Sequence, residues 1–120
     1  MSEIRTTTIS DLAGTGPVTL TKQSAAKAWI AVLDMSGTPT SGDSFNVSSL
    51  IDVTAGAVNP NWTNSFASSN YSHYGSDGNL GMLNSDPNGQ TASQGRVYTY
   101  NKTFNLIDSI ASTSAHGDLA

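Results

Sequence analysis

Residues 28–33, which read AWIAVL, form the longest apolar run of the chain and constrain its fold more than any other stretch. The run has the length of a buried strand, and residues 35–42 after it are mostly Ser, Gly, Thr and Pro. Phe45 and Val47 begin the next alternating segment. Short apolar runs separated by turn residues predict two strands of one sheet or sandwich. We predict that Trp29, Phe45 and Val47 anchor a hydrophobic core.

The rest of the chain continues as short strand-like segments separated by turns. Trp62 and Phe66 lie in one such segment and are predicted as further core anchors. The density of Gly, Asn, Ser and Asp-Pro predicts a long loop at residues 75–94, and residues 112–120 are predicted as a tail. About seven short segments in this pattern predict an all-β fold, a single antiparallel β-sandwich or flattened barrel over residues 25–120. The predicted strands are 28–33, 44–51, 57–66, 71–74 and 96–104, while 106–111 fits either a strand or one or two helical turns.

Residues 1–24 are too sparse in apolar side chains to form a core of their own. Their Thr-rich background is broken by the Gly-Thr-Gly-Pro sequence at 14–17. We predict an extended arm that docks on a neighbouring subunit or a larger assembly, the alternative being a partly disordered leader. The apolar residues that would make the contact are Ile4, Ile9, Leu12, Val18 and Leu20.

Charged residues make up only 12% of the chain, against roughly 25% in ordinary soluble domains. Hydroxyl and amide side chains replace them, which is typical of extracellular, shell-forming or carbohydrate-facing β proteins. The net charge is −4 and the five basic residues are scattered, so we expect no nucleic-acid partner. With no cysteine, no apolar N-terminal leader and no apolar run of membrane-spanning length, we expect no disulfide, no membrane contact and synthesis in a cytoplasm.

The sequence carries no motif for catalysis or for binding a metal or cofactor. His73 and His116 lack ligands at metal-binding spacing, and both are predicted as surface or interface histidines. A pair of carboxylates across a cleft is not indicated, since Glu3 is in the arm and the aspartates adjoin turn residues. We therefore predict a protein that is not an enzyme and that binds neither a cofactor nor a metal.

Aromatic and polar residues of the second half suggest a contact surface. The spacing of the tyrosines follows strand alternation, which favours core or subunit-interface positions, although stacking on sugar rings is the alternative. The residues predicted for an interface or receptor surface are Tyr74, Tyr98, Tyr100, Asp77, Asn79 and Asn88.

Four short sequences are similar to those of a known group of proteins. They are AAKAW at 25–29, DSFNVSSLID at 43–52, NSFASSNYSHYGS at 64–76, and VYTYN at 97–101 with the closing GDLA. Together they resemble the small virion proteins and tail-fibre end domains of tailed bacteriophages. The resemblance implies a β-rich homotrimer on the virion surface, made in the host cytoplasm.

The position of the domain in the chain decides between two sites on the particle. A fibre tip usually follows a long shaft, whereas only residues 1–24 precede this domain. We therefore expect a capsid decoration (cement or turret) protein that binds the major capsid protein, or another virion protein, through its arm. The alternative is a tail-fibre tip or adhesin that binds a host-surface glycan.

Overall fold

Residues 25–79 and 81–120, which a computed structural model describes, form eight β-strands in two antiparallel sheets. The first sheet has the strand order β2-β1-β8-β5 and the second β3-β4-β7-β6. The two sheets pack as a sandwich, which confirms the predicted all-β class and decides against the flattened barrel. In chain order the strands are β1 (Ala28–Asp34), β2 (Thr40–Phe45), β3 (Val47–Thr54), β4 (Ala57–Trp62), β5 (Ser72–Asp77), β6 (Met82–Ser85), β7 (Val97–Tyr100) and β8 (Ala111–His116).

One prediction from the sequence concerns the N-terminal arm, residues 1–24. The predicted arm lies outside the described residues, and its docking role stays a prediction. The arm residues concerned are Ile4, Ile9, Leu12, Val18 and Leu20.

Within residues 25–79 and 81–120, no helix is long and apolar enough to cross a membrane.

The interior of the sandwich contains two clusters of buried side chains. Val47 is partly buried and packs against both clusters, so it joins them. Trp62 and Phe66 are buried in the second cluster, and their predicted role as core anchors is confirmed. Burial of each large apolar side chain contributes roughly 1.5–3 kcal/mol. The first cluster comprises Ile30, Val32, Met35, Val58, Val97 and Ala111, and the second Ala28, Trp62, Phe66, Tyr71 and Ala115.

The prediction that Trp29 and Phe45 anchor the core is wrong. Side chains alternate along β1, and Ala28, Ile30 and Val32 point inward, which directs Trp29 to the outer face of the first sheet. Phe45 on β2 is the cross-strand partner of Trp29 and shares that face. Trp29 is 37% exposed and Phe45 54%. Because β1 carries apolar residues on both of its faces, residues 28–33 look in the sequence like one fully buried run.

Several predicted segments differ from the observed strands. The predicted strands at 57–66 and 96–104 end early, at Trp62 and Tyr100, and residues 106–110 form neither a strand nor a helix. The predicted strand at 44–51 is divided at Asn46 into β2 and β3. The predicted loop at 75–94 contains the end of β5 and all of β6, and the predicted tail at 112–120 contains most of β8. The sequence of β8, ASTSAH, has no large apolar residue and therefore lacks the usual signal of a central strand.

Asn46 turns the chain from the first sheet to the second. Its backbone has a φ of 58°, a left-handed conformation that Asn tolerates better than most residues. Its side-chain Oδ1 accepts a hydrogen bond from the Asn64 N–H at 2.7 Å, while Nδ2 donates to the carbonyl of Lys27 at 3.1 Å. These bonds fix the corner between β2 and β3, which explains why the apolar segment changes sheets at this point.

Candidate functional site

The two outer sheet faces of the sandwich carry different side chains. On the first sheet, Trp29, Ser114 and Tyr74 stand in one row across β1, β8 and β5, because each is the cross-strand partner of the next. On the second sheet, Tyr98 and Tyr100 alternate with the buried residues of β7 and face outward. The predicted surface tyrosines are therefore divided between opposite faces and do not form one site.

A groove with a volume of about 490 Å³ lies on the outer face of the first sheet. Trp29 and Tyr74 line it, together with Ser76 of β5 and with Ser112 and Ser114 of β8. Neighbouring strands are about 4.8 Å apart, so the backbones of β1 and β5, on either side of β8, are separated by about 10 Å. The serine side chains of β8 are too short to fill the space between the two aromatic side chains. The first sheet therefore has an open groove with aromatic residues at its sides and hydroxyl groups in its floor.

His116 holds the ring of Tyr74 in place. The two rings are stacked, with centroids 5.4 Å apart and planes at 17°, and the Tyr74 hydroxyl lies 2.9 Å from His116 Nε2. His116 is the cross-strand partner of Ser72, whereas the groove extends toward Ser76 at the other end of β5. His116 therefore contacts Tyr74 from the Ser72 end of β5, and Tyr74 also lines the groove.

The outer face of the second sheet combines apolar, aromatic and polar side chains. Ile51 and Val53 of β3 and Met82 of β6 are exposed on it. Tyr98 and Tyr100 are half-buried, with ring centroids 6.2 Å apart, and Met82 is the direct cross-strand partner of Tyr100. Aromatic residues and Met are enriched at protein–protein interfaces, where charged residues are depleted. The apolar and aromatic residues of this face are therefore candidates for a contact between proteins, and polar residues such as Asn59 and Asn84 lie beside them.

Polar and charged groups at the β7 end of this face bond with one another. The Arg96 Nε–H donates to Asn59 Oδ1 at 3.0 Å, and its Nη1 lies 3.9 Å from Asp86 Oδ2. The Tyr98 hydroxyl donates to the same carboxylate oxygen at 3.4 Å. A partly exposed ion pair contributes at most about 1 kcal/mol, so its main effect is to orient the Tyr98 ring.

The predicted polar members of the contact surface have structural roles in turns. Asp77 Oδ1 accepts hydrogen bonds from the backbone N–H of Asn79 at 2.6 Å and of Gly81 at 3.0 Å. The Asn88 N–H donates to Asp86 Oδ1 at 2.9 Å in a second turn, after β6. Carboxylates that accept neighbouring backbone N–H groups are common in such turns. Asp77, Asn79 and Asn88 therefore shape two loops, which agrees with the turn residues of the sequence.

The interior contains an aromatic cluster around Trp62. The Trp62 ring meets Phe66, Tyr71 and His73 edge-on, at centroid distances of 5.8, 6.1 and 5.6 Å. The Tyr71 hydroxyl accepts a hydrogen bond from Trp62 Nε1 at 3.1 Å and donates to the Gln94 carbonyl at 2.7 Å. Burial raises the pKa of Tyr71 to about 12. The Tyr71 hydroxyl is therefore a structural hydrogen-bonding group at neutral pH.

His73 is an interior residue, and its predicted placement at the surface is wrong. Its side chain is 5% exposed, and neither ring nitrogen meets a hydrogen-bond partner among the described residues. Burial lowers its pKa to about 4. The imidazole is therefore neutral at pH 7 and acts as a packing residue beside Trp62.

Sequence reasoning missed the groove because it placed Trp29 in the core and most of β8 in a tail. A usable signal was present in β8. Its buried residues, Ala111, Thr113 and Ala115, alternate with Ser112, Ser114 and His116 on the outer face. This alternation has the period of a strand but lacks the contrast between large apolar and polar side chains. A pattern of small residues therefore concealed the floor of the groove.

Comparisons with known proteins add no relative. No protein-family model, no curated protein and no solved structure matches the chain. Among residues 25–79 and 81–120, no three His, Asp or Glu side chains converge as ligands for a metal ion. The functional interpretation therefore depends on the two outer faces of the sandwich and on the resemblance in the sequence.

Proposed function

We propose that this chain is a non-enzymatic structural protein of the surface of a phage particle, where it acts as a homotrimeric capsid decoration protein. The observation that supports this proposal is the set of exposed apolar residues on the outer face of the second sheet. A monomer leaves Ile51, Val53 and Met82 of this face exposed to water. Symmetric association of copies buries such a face, and the resemblance to phage virion proteins implies a trimer.

The edges of the sandwich agree with an assembled protein. The edge strands of the second sheet are β3 and β6. Unpaired edge strands expose backbone hydrogen-bonding groups, which neighbouring subunits are able to cover. The low fraction of charged residues also lowers the desolvation cost of packing copies against one another.

A pair of matched substitutions tests the interface. Ile51→Asp introduces a charge on the second sheet, and Leu33→Asp introduces the same charge at an exposed apolar residue of β1. We expect Ile51→Asp to convert the full-length protein to a monomer and Leu33→Asp to leave its mass unchanged, as measured by light scattering. A trimer that persists in Ile51→Asp would show that the interface lies elsewhere.

Attachment to the particle is proposed to occur through residues 1–24, with the major capsid protein as the partner. Deletion of residues 1–23 should abolish binding to phage capsids that lack the protein, while the trimer remains intact. Co-sedimentation with capsids measures the binding, and circular dichroism checks the fold. A truncated protein that still decorates capsids would rule out the arm as the anchor.

The second candidate function is that of a tail-fibre tip or adhesin that binds a host-surface glycan. The groove between Trp29 and Tyr74 favours it, because aromatic side chains next to hydroxyl groups suit a sugar. Adsorption of labelled protein to host cells tests this function. We expect Tyr74→Ala to reduce adsorption and Phe104→Ala, at an exposed residue in the turn after β7, to leave it unchanged; equal adsorption by both variants would count against an adhesin.

A further inference from the structure

We infer that the groove between Trp29 and Tyr74 binds an uncharged pyranose ring of a glycan. This inference gives the adhesin candidate a defined site and ligand class, and it does not depend on the trimer. The proposed subunit interface is on the second sheet, whereas the groove is on the outer face of the first.

The first argument is the shape of the groove. Its volume of about 490 Å³ lies within the range of roughly 300–1,000 Å³ that is usual for small-molecule sites. Trp29 and Tyr74 occupy the same cross-strand row, with Ser114 between them. A gap of two strand spacings, about 10 Å between the backbones, admits one planar or saucer-shaped ring between aromatic side chains.

The second argument is the availability of the aromatic side chains. Tyr74 is 54% exposed, and His116 restrains its ring through stacking and a 2.9 Å hydrogen-bond contact. A ring that is already held in place loses little conformational entropy when a ligand binds. The C–H face of a pyranose packs against an aromatic face, so the exposed parts of Tyr74 and Trp29 in the groove fit such a ligand.

The third argument is the polarity of the floor. Ser76, Ser112 and Ser114 line the groove, so a ligand in it would meet three serine side chains. Serine hydroxyls both donate and accept, which matches the equivalent capacity of sugar hydroxyls. The close packing of β5 on β8 fixes this floor, since a Cβ at Gly75 would collide with the backbone of Ser112.

The fourth argument is charge. The residues that line the groove are Trp, Ile, Ala, Tyr, Gly, Ser and Thr, and none of them carries a charge. A carboxylate or sulfate group of an acidic sugar would find no cationic partner in the groove. The lining therefore favours neutral over acidic glycans.

A glycan array that displays neutral and acidic saccharides tests the inference with the full-length protein, and calorimetry then measures affinity for the strongest neutral glycan. We expect Trp29→Ala and Tyr74→Ala each to weaken binding by about tenfold. Ser112→Leu, which fills the floor at an exposed position, should weaken it similarly. Phe104→Ala is the matched control, at an exposed aromatic residue in the turn after β7 that lies outside the groove, and should bind as the unaltered protein does.

Four results would overturn the inference. The first is that the unaltered protein binds no glycan more strongly than Trp29→Ala does, and the second is binding to acidic glycans only. The third is an equal loss of binding in Phe104→Ala, and the fourth is a change in the mass of the oligomer in Trp29→Ala. The last result would identify the groove as a contact between copies of the chain. Because mass and glycan binding are measured on the same samples, failure of the groove is distinguishable from failure of the proposed trimer.

Discussion

Replacement of His73 by leucine should remove most of the acid sensitivity of the folded protein between pH 6.5 and 4. His73 is buried beside Trp62, and burial lowers its pKa from 6.5 to about 4. The folded chain therefore keeps this imidazole neutral in a pH range where the unfolded chain protonates it. Proton binding to the unfolded state favours unfolding, so stability falls as the pH falls.

The two pKa values give the size of the effect. At about 1.4 kcal/mol per pKa unit, the difference between the folded and unfolded pKa of His73 corresponds to about 3 kcal/mol of folding stability. All of this stability is present above the unfolded pKa, and all of it is lost below the folded pKa. Such a loss is large for a domain whose total stability is about 5–15 kcal/mol. Asp34 affects stability at lower pH than His73 does. The hydrogen bond from the Ser36 N–H lowers the pKa of Asp34 below the ordinary 3.8, so the stability that it contributes is lost only under more acidic conditions.

Urea unfolding followed by tryptophan fluorescence, at pH values from about 7.5 to about 4.5, measures the dependence. His73→Leu should have a nearly constant free energy of unfolding over this range. At neutral pH it should lie within about 1 kcal/mol of the unaltered protein, because no protein hydrogen bond is lost. His116→Gln is the control and should retain the acid-induced loss. The same loss in His73→Leu would refute the assignment to His73.

Three further predictions are checked by the same unfolding measurement at neutral pH. Trp62→Ala should destabilise the fold by about 3–5 kcal/mol, whereas Trp29→Ala should cost less than about 1 kcal/mol; similar values would contradict their opposite placements. Gly95→Ala should cost more than about 2 kcal/mol, because the new Cβ would lie 2.6 Å from the His73 ring, and a neutral effect would mean that the ring moves freely. Asn46→Ala should cost about 2–3 kcal/mol through strain at positive φ and lost hydrogen bonds, and Asn46→Gly should cost less because it relieves the strain.

The sequence predicted the fold class because turn residues divide the chain into short segments of strand length. It also predicted Trp62 and Phe66 as core residues, since few other large side chains are available in their segment. The orientation of Trp29 was not predicted, because a run of apolar residues on both faces of β1 carries no contrast between inside and outside. Alternation is visible in a sequence only when one face of the strand is polar.

The candidate site was harder to predict than the fold, because it combines residues from three strands. Trp29, Ser114 and Tyr74 are far apart in sequence and meet only through the β1–β8 and β8–β5 pairings. Strand order is a long-range property that local patterns do not specify. The sequence indicated the three tyrosines as contact residues. The sheet face on which each one lies depends on strand pairings, which the sequence did not predict.

The mass of the full-length protein in solution tests the central claim most directly. Sedimentation equilibrium at concentrations on the order of 10 µM should give three times the chain mass of 12.5 kDa. A trimer that dissociates in Ile51→Asp would support assembly through the second sheet. A single species of 12.5 kDa under these conditions would contradict the proposed homotrimer and, with it, the function assigned to the apolar face.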